Sequence, residues 1–335
     1  MTTQITPATR GAGVTSRSRL RSLVETPEVG VVVACAAVFV ALALARDTFA
    51  SAVNLQGMGF DLAQYGLIAI GESLVILTGG IDLSVGALLG TSVILISWFN
   101  VRAGLPAGVA MLATLAITGL IGLWHGLAVT RLKMPPFVVT LVTYTVAQGV
   151  TLAITSGTSI VGISGFFGDI GQSYLAQIPV PLILFVIVAV AAWFFLERTF
   201  VGRQVYAVGG NPEAARLAGI RGDRRIVSMY VTSSLLSGLA AMLVLGRMGV
   251  GSASGVGVGW ELQAIAAAVI GGVSLTGGQG RILGIVAGTV LLELITNGLT
   301  TLQINSNYTN IVLGCVLGIA ILADRLRAKH FSSRA

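Results

Sequence analysis

Ten runs of apolar residues divide this chain, at about 29–45, 59–78, 83–99, 105–129, 136–155, 178–196, 226–245, 260–275, 282–298 and 309–323. A membrane-crossing helix needs about 20 such residues, and most of the runs come close to that length. The runs at 29–45 and 260–275 are short for a full crossing. The stretch near 260–285 therefore reads as broken helix lining a cavity, where protein or water can satisfy the backbone. Charge agrees with a membrane location. Only 10% of the 335 residues are charged and 55% are apolar, whereas a soluble domain carries roughly 25% charged residues. The 44 glycines suit closely packed membrane helices. The expected fold is an all-α polytopic membrane protein with about ten transmembrane helices.

A net charge of +7 is compatible with nucleic-acid binding, but its distribution argues for topology. With the N-terminus placed in the cytoplasm, the inner segments hold Arg10, Arg17, Arg19, Arg21, Arg131, Lys133, Arg198, Arg203, Arg216, Arg221, Arg224, Arg225, Arg281, Arg325, Arg327, Lys329 and Arg334. The outer segments hold Arg46, Arg102 and Arg247. Seventeen cations against three is the positive-inside asymmetry of a plasma (inner) membrane protein. Dropping one span would destroy it, so both termini are expected in the cytoplasm. Residues 1–28 form a cytoplasmic tail, 29–323 the membrane domain and 324–335 a second tail. Ala43-Leu44-Ala45 resembles a signal-peptidase site, but the apolar run before it is long for a signal core, and another span follows. The first helix is expected to stay uncleaved. Cys35 and Cys315 lie in apolar runs and read as buried free thiols. The outer loop 156–177 is long enough to fold over the outer mouth or to meet a partner. The loop 246–260 holds six glycines in fifteen residues, which suits either close approach or a flexible turn.

The polar stretch Glu197–Arg225 contains a short helix with both ends specified. Asn211 is a good N-cap, Pro212 suits the first helical position, Glu213 favours the first turn and Gly219 suits a left-handed stop. Two turns of helix are not stable alone in water. Ringed by arginines, this one reads either as a docking element or as an interfacial helix resting on anionic lipid.

The stretch "GNPEAARLAGI" at 210–220 resembles the coupling helix of ATP-binding-cassette (ABC) importer permeases of the ribose type. "TGGIDLSVGALLG" at 78–90, "WELQAIAAAVIGGVSLTGGQG" at 260–280 and, more loosely, "MPPFVVTLVTYTVAQG" at 134–149 resemble the same branched-chain amino acid/ribose permease superfamily, in family order. The Ile-x-Leu-Pro portion of the broader coupling motif is not found after Gly219. The resemblance implies a permease subunit that imports a monosaccharide, a pentose or hexose. Related permeases carry branched-chain amino acids, nucleosides or signalling furanoses. It also implies a second permease copy or close homologue, two cytoplasmic ATPase subunits or one tandem ATPase, and an extracytoplasmic solute-binding protein. Asn211, Pro212, Glu213, Ala214, Ala215 and Gly219 would form the coupling helix. Glu213 would interact at the ATPase interface, while Ala214, Ala215 and Gly219 would allow close approach. The Gly-rich "GGQGRILG" at 277–284 lacks the Lys-Ser/Thr pair of a phosphate-binding loop, so ATP and Mg are expected on the partner chain, with no cofactor or metal bound here.

Carboxylates inside apolar spans need a partner, water or a proton. Asp61, Glu72, His125, Glu261 and Glu293 are such groups. Glu72, Asp82, Ser84, Glu261, Glu293 and Asn297 are the candidates for a solute pathway; packing hydrogen bonds or span-end positions explain several of them equally well. Glu293 and Asn297 share a helical face, and Asp82 is placed to cap the third helix. Gly79–Ser84 and Gly271–Thr276 share the pattern G-G-aliphatic-x-Leu-Ser/Thr, a hint of related halves. An ion-coupled secondary transporter would use Glu72 or Glu293 and would not need the helix at 211–219. A membrane-embedded enzyme finds no nucleophile–base pair, paired-carboxylate or HExxH motif in the chain.

Overall fold

Local chemistry sets the ends of the helices that the apolar runs form. The structure, a computed structural model, describes residues 27–305 and 307–332; the expected N-terminal tail up to residue 26 lies outside them. In chain order the helices are α1 (Pro27–Ala45), α2 (Ala52–Leu77), α3 (Val85–Ser97), α4 (Ala107–Thr130), α5 (Pro136–Thr155), α6 (Gly165–Gly171), α7 (Val180–Arg198), α8 (Phe200–Gly210), α9 (Pro212–Leu217), α10 (Gly222–Met248), α11 (Trp260–Ile270), α12 (Ile282–Thr301) and α13 (Asn307–Ser332). A π-helical turn, Trp98–Arg102, prolongs α3. A two-residue antiparallel hairpin, β1 (Tyr174–Leu175) with β2 (Ile178–Pro179), precedes α7. Ser51 opens α2 by accepting the Asn54 N–H at 3.3 Å. Buried hydroxyls within the spans turn back on their own helix. Ser73, Thr114, Thr130 and Thr289 each donate to the carbonyl four residues earlier at 2.6–2.9 Å, which removes the cost of leaving them unpaired.

Among the described residues, eight helices are long and apolar enough to span a membrane: α1, α2, α3 with its π-helical turn, α4, α5, α7, α10 and α12. The apolar run at 260–275 is different. Its helix, α11, has 11 residues, about 16 Å at 1.5 Å per residue, roughly half a hydrocarbon core. The other half of that crossing is the Gly-rich segment 249–259, which runs as irregular chain along α3. A Cβ on Gly90 would stand 2.5 Å from the Val256 carbonyl, so this approach needs glycine. The last helix, α13, continues to Ser332, into the residues expected to form the C-terminal tail. Cys315 on α13 is exposed and Cys35 half-buried, so the expectation of two buried thiols does not hold. The loop 156–177 packs against the chain at residues 246–251. Ile160 pairs with Gly251 through two 2.9 Å hydrogen bonds, and Gln172 Nε2 donates to the Gly246 carbonyl.

Helix α10 is the axis of the fold and packs on α2, α3 and α4. Tyr230, Leu243 and Leu245 on it are fully buried. Its contact with α4 is a small-residue seam, as expected where dispersion, rather than water release, holds helices together. A Cβ on Gly126 would lie 2.5 Å from Val227 Cα, and one on Gly122 would lie 2.6 Å from the Tyr230 carbonyl. The outer faces of α4, α5 and α7 carry exposed Leu120, Val146 and Phe194, suited to lipid.

Gly126→Val is expected to destabilise the protein by about 2 kcal/mol or more, since the added methyls meet backbone atoms of α10. Gly108→Ala on the same helix, where a Cβ meets nothing within 4 Å, is expected to be neutral or slightly stabilising. Thermal unfolding in detergent separates the two; equal midpoints would contradict the seam.

Candidate coupling helix and solute pathway

Asn211 Oδ1 accepts the Ala214 N–H at 2.9 Å, and Pro212 begins α9. At the other end Gly219 is left-handed, with φ +77, while the Ile220 N–H reaches back to the Ala215 carbonyl at 3.0 Å. That backward bond closes the helix in the manner of a Schellman stop. Glu213 and Arg216 pair through both guanidinium contacts, Nη2–Oε1 at 2.5 Å and Nε–Oε2 at 3.2 Å. Both side chains are about two-thirds exposed or more, so the pair adds little stability. The outward face of α9 is Pro212, Glu213, Ala214, Arg216 and Leu217, the last 78% exposed. Ala215 departs from the expectation of close approach to a partner. It is only 5% exposed because its position on the turn faces the body of the chain.

The root of α9 is fastened to two other segments. Gly209 and Gly210 end α8, and the Gly278 N–H donates to the Leu77 carbonyl at 3.0 Å beside them. A Cβ on Gly209 would collide with that carbonyl and sit 2.6 Å from Gly278 N. Tyr206 on α8 donates to the Gly280 carbonyl at 2.9 Å. Burial, and then the neighbouring Glu197, push its phenol up to about 12, so it stays a donor at neutral pH. The start of the first G-G-aliphatic-x-Leu-Ser/Thr stretch, at Gly79, and Gly277-Gly278, which follow the second, therefore meet at the end of α8, just before α9.

The first of these stretches holds the buried polar centre. Glu72 Oε1, from α2, accepts the Asp82 N–H at 3.1 Å. Asp82 Oδ1 accepts from Ser84 N at 3.0 Å and Ser84 Oγ at 2.5 Å, and Oδ2 accepts from Ser233 on α10 at 3.4 Å. Asp82 thus stands three residues before the start of α3 and folds the approach to it, while Ser84 occupies the cap position. Thr140 on α5 accepts the Leu83 N–H at 3.1 Å. His125 stacks edge-on against Tyr230, with ring centroids 6.0 Å apart, and its Nε2 meets Thr143 at 2.8 Å. Glu261 lies at the start of α11, where a Cβ on Gly86 would come within 2.5 Å of its Oε2. Glu293 lines a narrow crevice with Tyr65 and Gln263. Asn297 is tied to Asn54 by reciprocal amide bonds of 2.8 and 3.1 Å between α12 and α2. The six pathway candidates are not one site: Glu72, Asp82 and Ser84 share a cluster, Glu261 borders it at Gly86, and Glu293 and Asn297 make other contacts.

A larger recess, about 330 Å³, opens between α3, α5 and the irregular segment 252–258. Thr91, Tyr144, Gln148, Thr151, Ser252 and Ser254 give it its polar lining. Sequence reasoning missed these residues, because neutral polar side chains within apolar runs carry no signal that separates a lining from a packing contact. The glycines of 246–260 were the available pointer.

The family model described as branched-chain amino acid transport system / permease component matches residues 54–321. The chain is 39% identical over 289 residues to the ribose import permease protein of Bacillus subtilis, covering 86% of this chain and 89% of that one. It is 36% identical to the D-allose transport system permease protein of Escherichia coli, covering 78% and 80%. It is 33% identical to the fructose import permease protein of Rhizobium meliloti, covering 83% and 79%. No solved structure matches the chain.

Asp82→Ala is expected to cost about 2 kcal/mol, because it strands the buried Ser84 N–H and hydroxyl. Denaturant unfolding in detergent measures it; an unchanged midpoint would show that the cluster does not hold the loop.

Proposed function

The chain belongs to the branched-chain amino acid transport system / permease component family, and on that footing we propose that it forms the monosaccharide pathway of its importer. It is a multi-pass inner-membrane permease subunit of an ABC importer, and the ATPase is a separate subunit. A solute-binding protein completes the system. The sugar reading draws on relatives named for ribose, D-allose and fructose. We place both termini in the cytoplasm on the strength of the charge asymmetry, which also puts α9 on the ATPase side. Two permease copies, or one copy with a close homologue, would meet two ATPase subunits or one tandem ATPase. ATP and Mg are assigned to those subunits.

The single observation that carries coupling is the placement of α9. It is a doubly capped helix with an exposed polar-apolar face, rooted at Gly209 against both Gly-Gly loops. A push on α9 by a closing ATPase dimer reaches Leu77–Ser84 and Gly271–Gly280 through backbone contacts, without a flexible linker. Glu213, Arg216 and Leu217 are the contact residues on this reading, and Ala215 holds the helix to its own chain.

Glu213→Arg combined with Leu217→Asp is expected to cut sugar uptake at least tenfold, an interface loss of about 1.4 kcal/mol or more. ATPase co-purifying with the permease should fall, while permease in the membrane stays constant. Unaltered uptake and co-purification would exclude α9 as the coupling element.

A further inference from the structure

We infer that the recess between α3, α5 and segment 252–258 is where this chain touches its solute in transit, and that it admits neutral, hydroxyl-rich molecules in preference to charged ones. The inference rests on the reading of the chain as a sugar permease and assigns the contact to particular residues.

Size is the first support. A volume of about 330 Å³ sits at the lower end of small-ligand sites, about 300–1,000 Å³. The hydrogen-bonding state of the lining is the second. Tyr144 and Gln148 lie one turn apart on α5, both half-buried, and among the described residues neither side chain has a hydrogen-bond partner in the chain. A primary amide offers two donors and an acceptor, and leaving these unpaired in a membrane segment is costly unless water or a solute meets them. Thr91 and Thr151, by contrast, bond to each other at 2.9 Å and to the Ala147 carbonyl, and they form a fixed polar wall.

Backbone is the third support. Irregular chain at membrane depth is tolerated where it is packed in protein or lines a wet cavity. Segment 252–258 does both: Gly90 lets its Val256 carbonyl lie against α3, while Ser252, Ser254 and Val258 border the recess. The fourth support is an absence from the lining. It contains no Asp, Glu, Lys, Arg or His. A zwitterionic amino acid would leave both its charges without an ionic partner there, at a desolvation cost. A sugar would find hydroxyls and an amide for its own hydroxyls, with the Tyr144 ring beside them.

The test uses the importer reconstituted in proteoliposomes with its own ATPase and binding protein, with Cys35 and Cys315 replaced by serine. Gln148→Cys is expected to react with a water-soluble methanethiosulfonate reagent, and the modification should block ribose uptake. Val146→Cys, on the opposite, outer face of α5, should not react. Gln148→Leu should lower the uptake of ribose, or of whichever of ribose, allose, fructose and xylose is carried, by about fivefold, the loss of one hydrogen bond, with the complex intact and ATP hydrolysis retained. An inert Gln148→Cys, or Gln148→Leu transporting at the full rate, overturns the assignment of the recess. Uptake of leucine and of none of the four sugars by the unaltered importer overturns the sugar reading and the preference for neutral solutes together. Cysteine labelling still reads the recess itself in that case.

Discussion

A backbone N–H or C=O left unpaired in hydrocarbon costs several kcal/mol, and this chain leaves helical geometry at two places where that cost applies. The first is the approach to α3, where Glu72, Asp82 and Thr140 take up the N–H groups of Asp82, Ser84 and Leu83. The second is the entry to α11, where Ile160 pairs with Gly251 and the chain then runs against α3. Glu72, Asp82, Ser84, Thr140 and Ser233 are gathered at the first of these breaks. The carboxylates of Glu72 and Asp82 serve as substitutes for the helical ladder, which is a sufficient reason for charged residue types at that depth.

The breaks also organise the end of the bundle that carries α9. The loops that contain or follow them, Leu77–Ser84 and Gly271–Arg281, converge on the end of α8, where the Gly278 N–H bonds the Leu77 carbonyl. Helix α9 begins three residues after Gly209. One backbone junction therefore joins the root of α9 to the loops that lead into α3 and α12. On the membrane side the same two segments, α3 and 249–259, form two walls of the recess at Gln148.

What the sequence made legible follows the range of the forces involved. Capping is local, so Asn211, Pro212 and Gly219 announced α9 with both its ends. Run length and charge asymmetry are properties of whole segments, so the order of the spans and the irregularity near residue 260 were readable too. The inward turn of Ala215 was not, because it depends on which side of α9 meets the chain. Nor was the amide pair of Asn54 with Asn297, residues 243 positions apart. Gly79–Ser84 and Gly271–Thr276 could be matched as strings, yet the approach of Gly277 and Gly278, just beyond the second, to Gly79 and Gly209 is a tertiary fact. Tyr144 and Gln148 look in sequence like any polar residue tolerated in a span; the cavity beside them sets them apart.

The central claim is that movement of solute through this chain is driven by ATP hydrolysis on a docked subunit. Proteoliposomes containing the chain, its ATPase and its binding protein measure this directly, through accumulation of radiolabelled ribose, allose, fructose or xylose under defined energy sources. The account predicts accumulation with ATP and Mg inside, none with a non-hydrolysable nucleotide, and no change when proton and sodium gradients are collapsed. Accumulation that proceeds without the ATPase and disappears with an ionophore would contradict it.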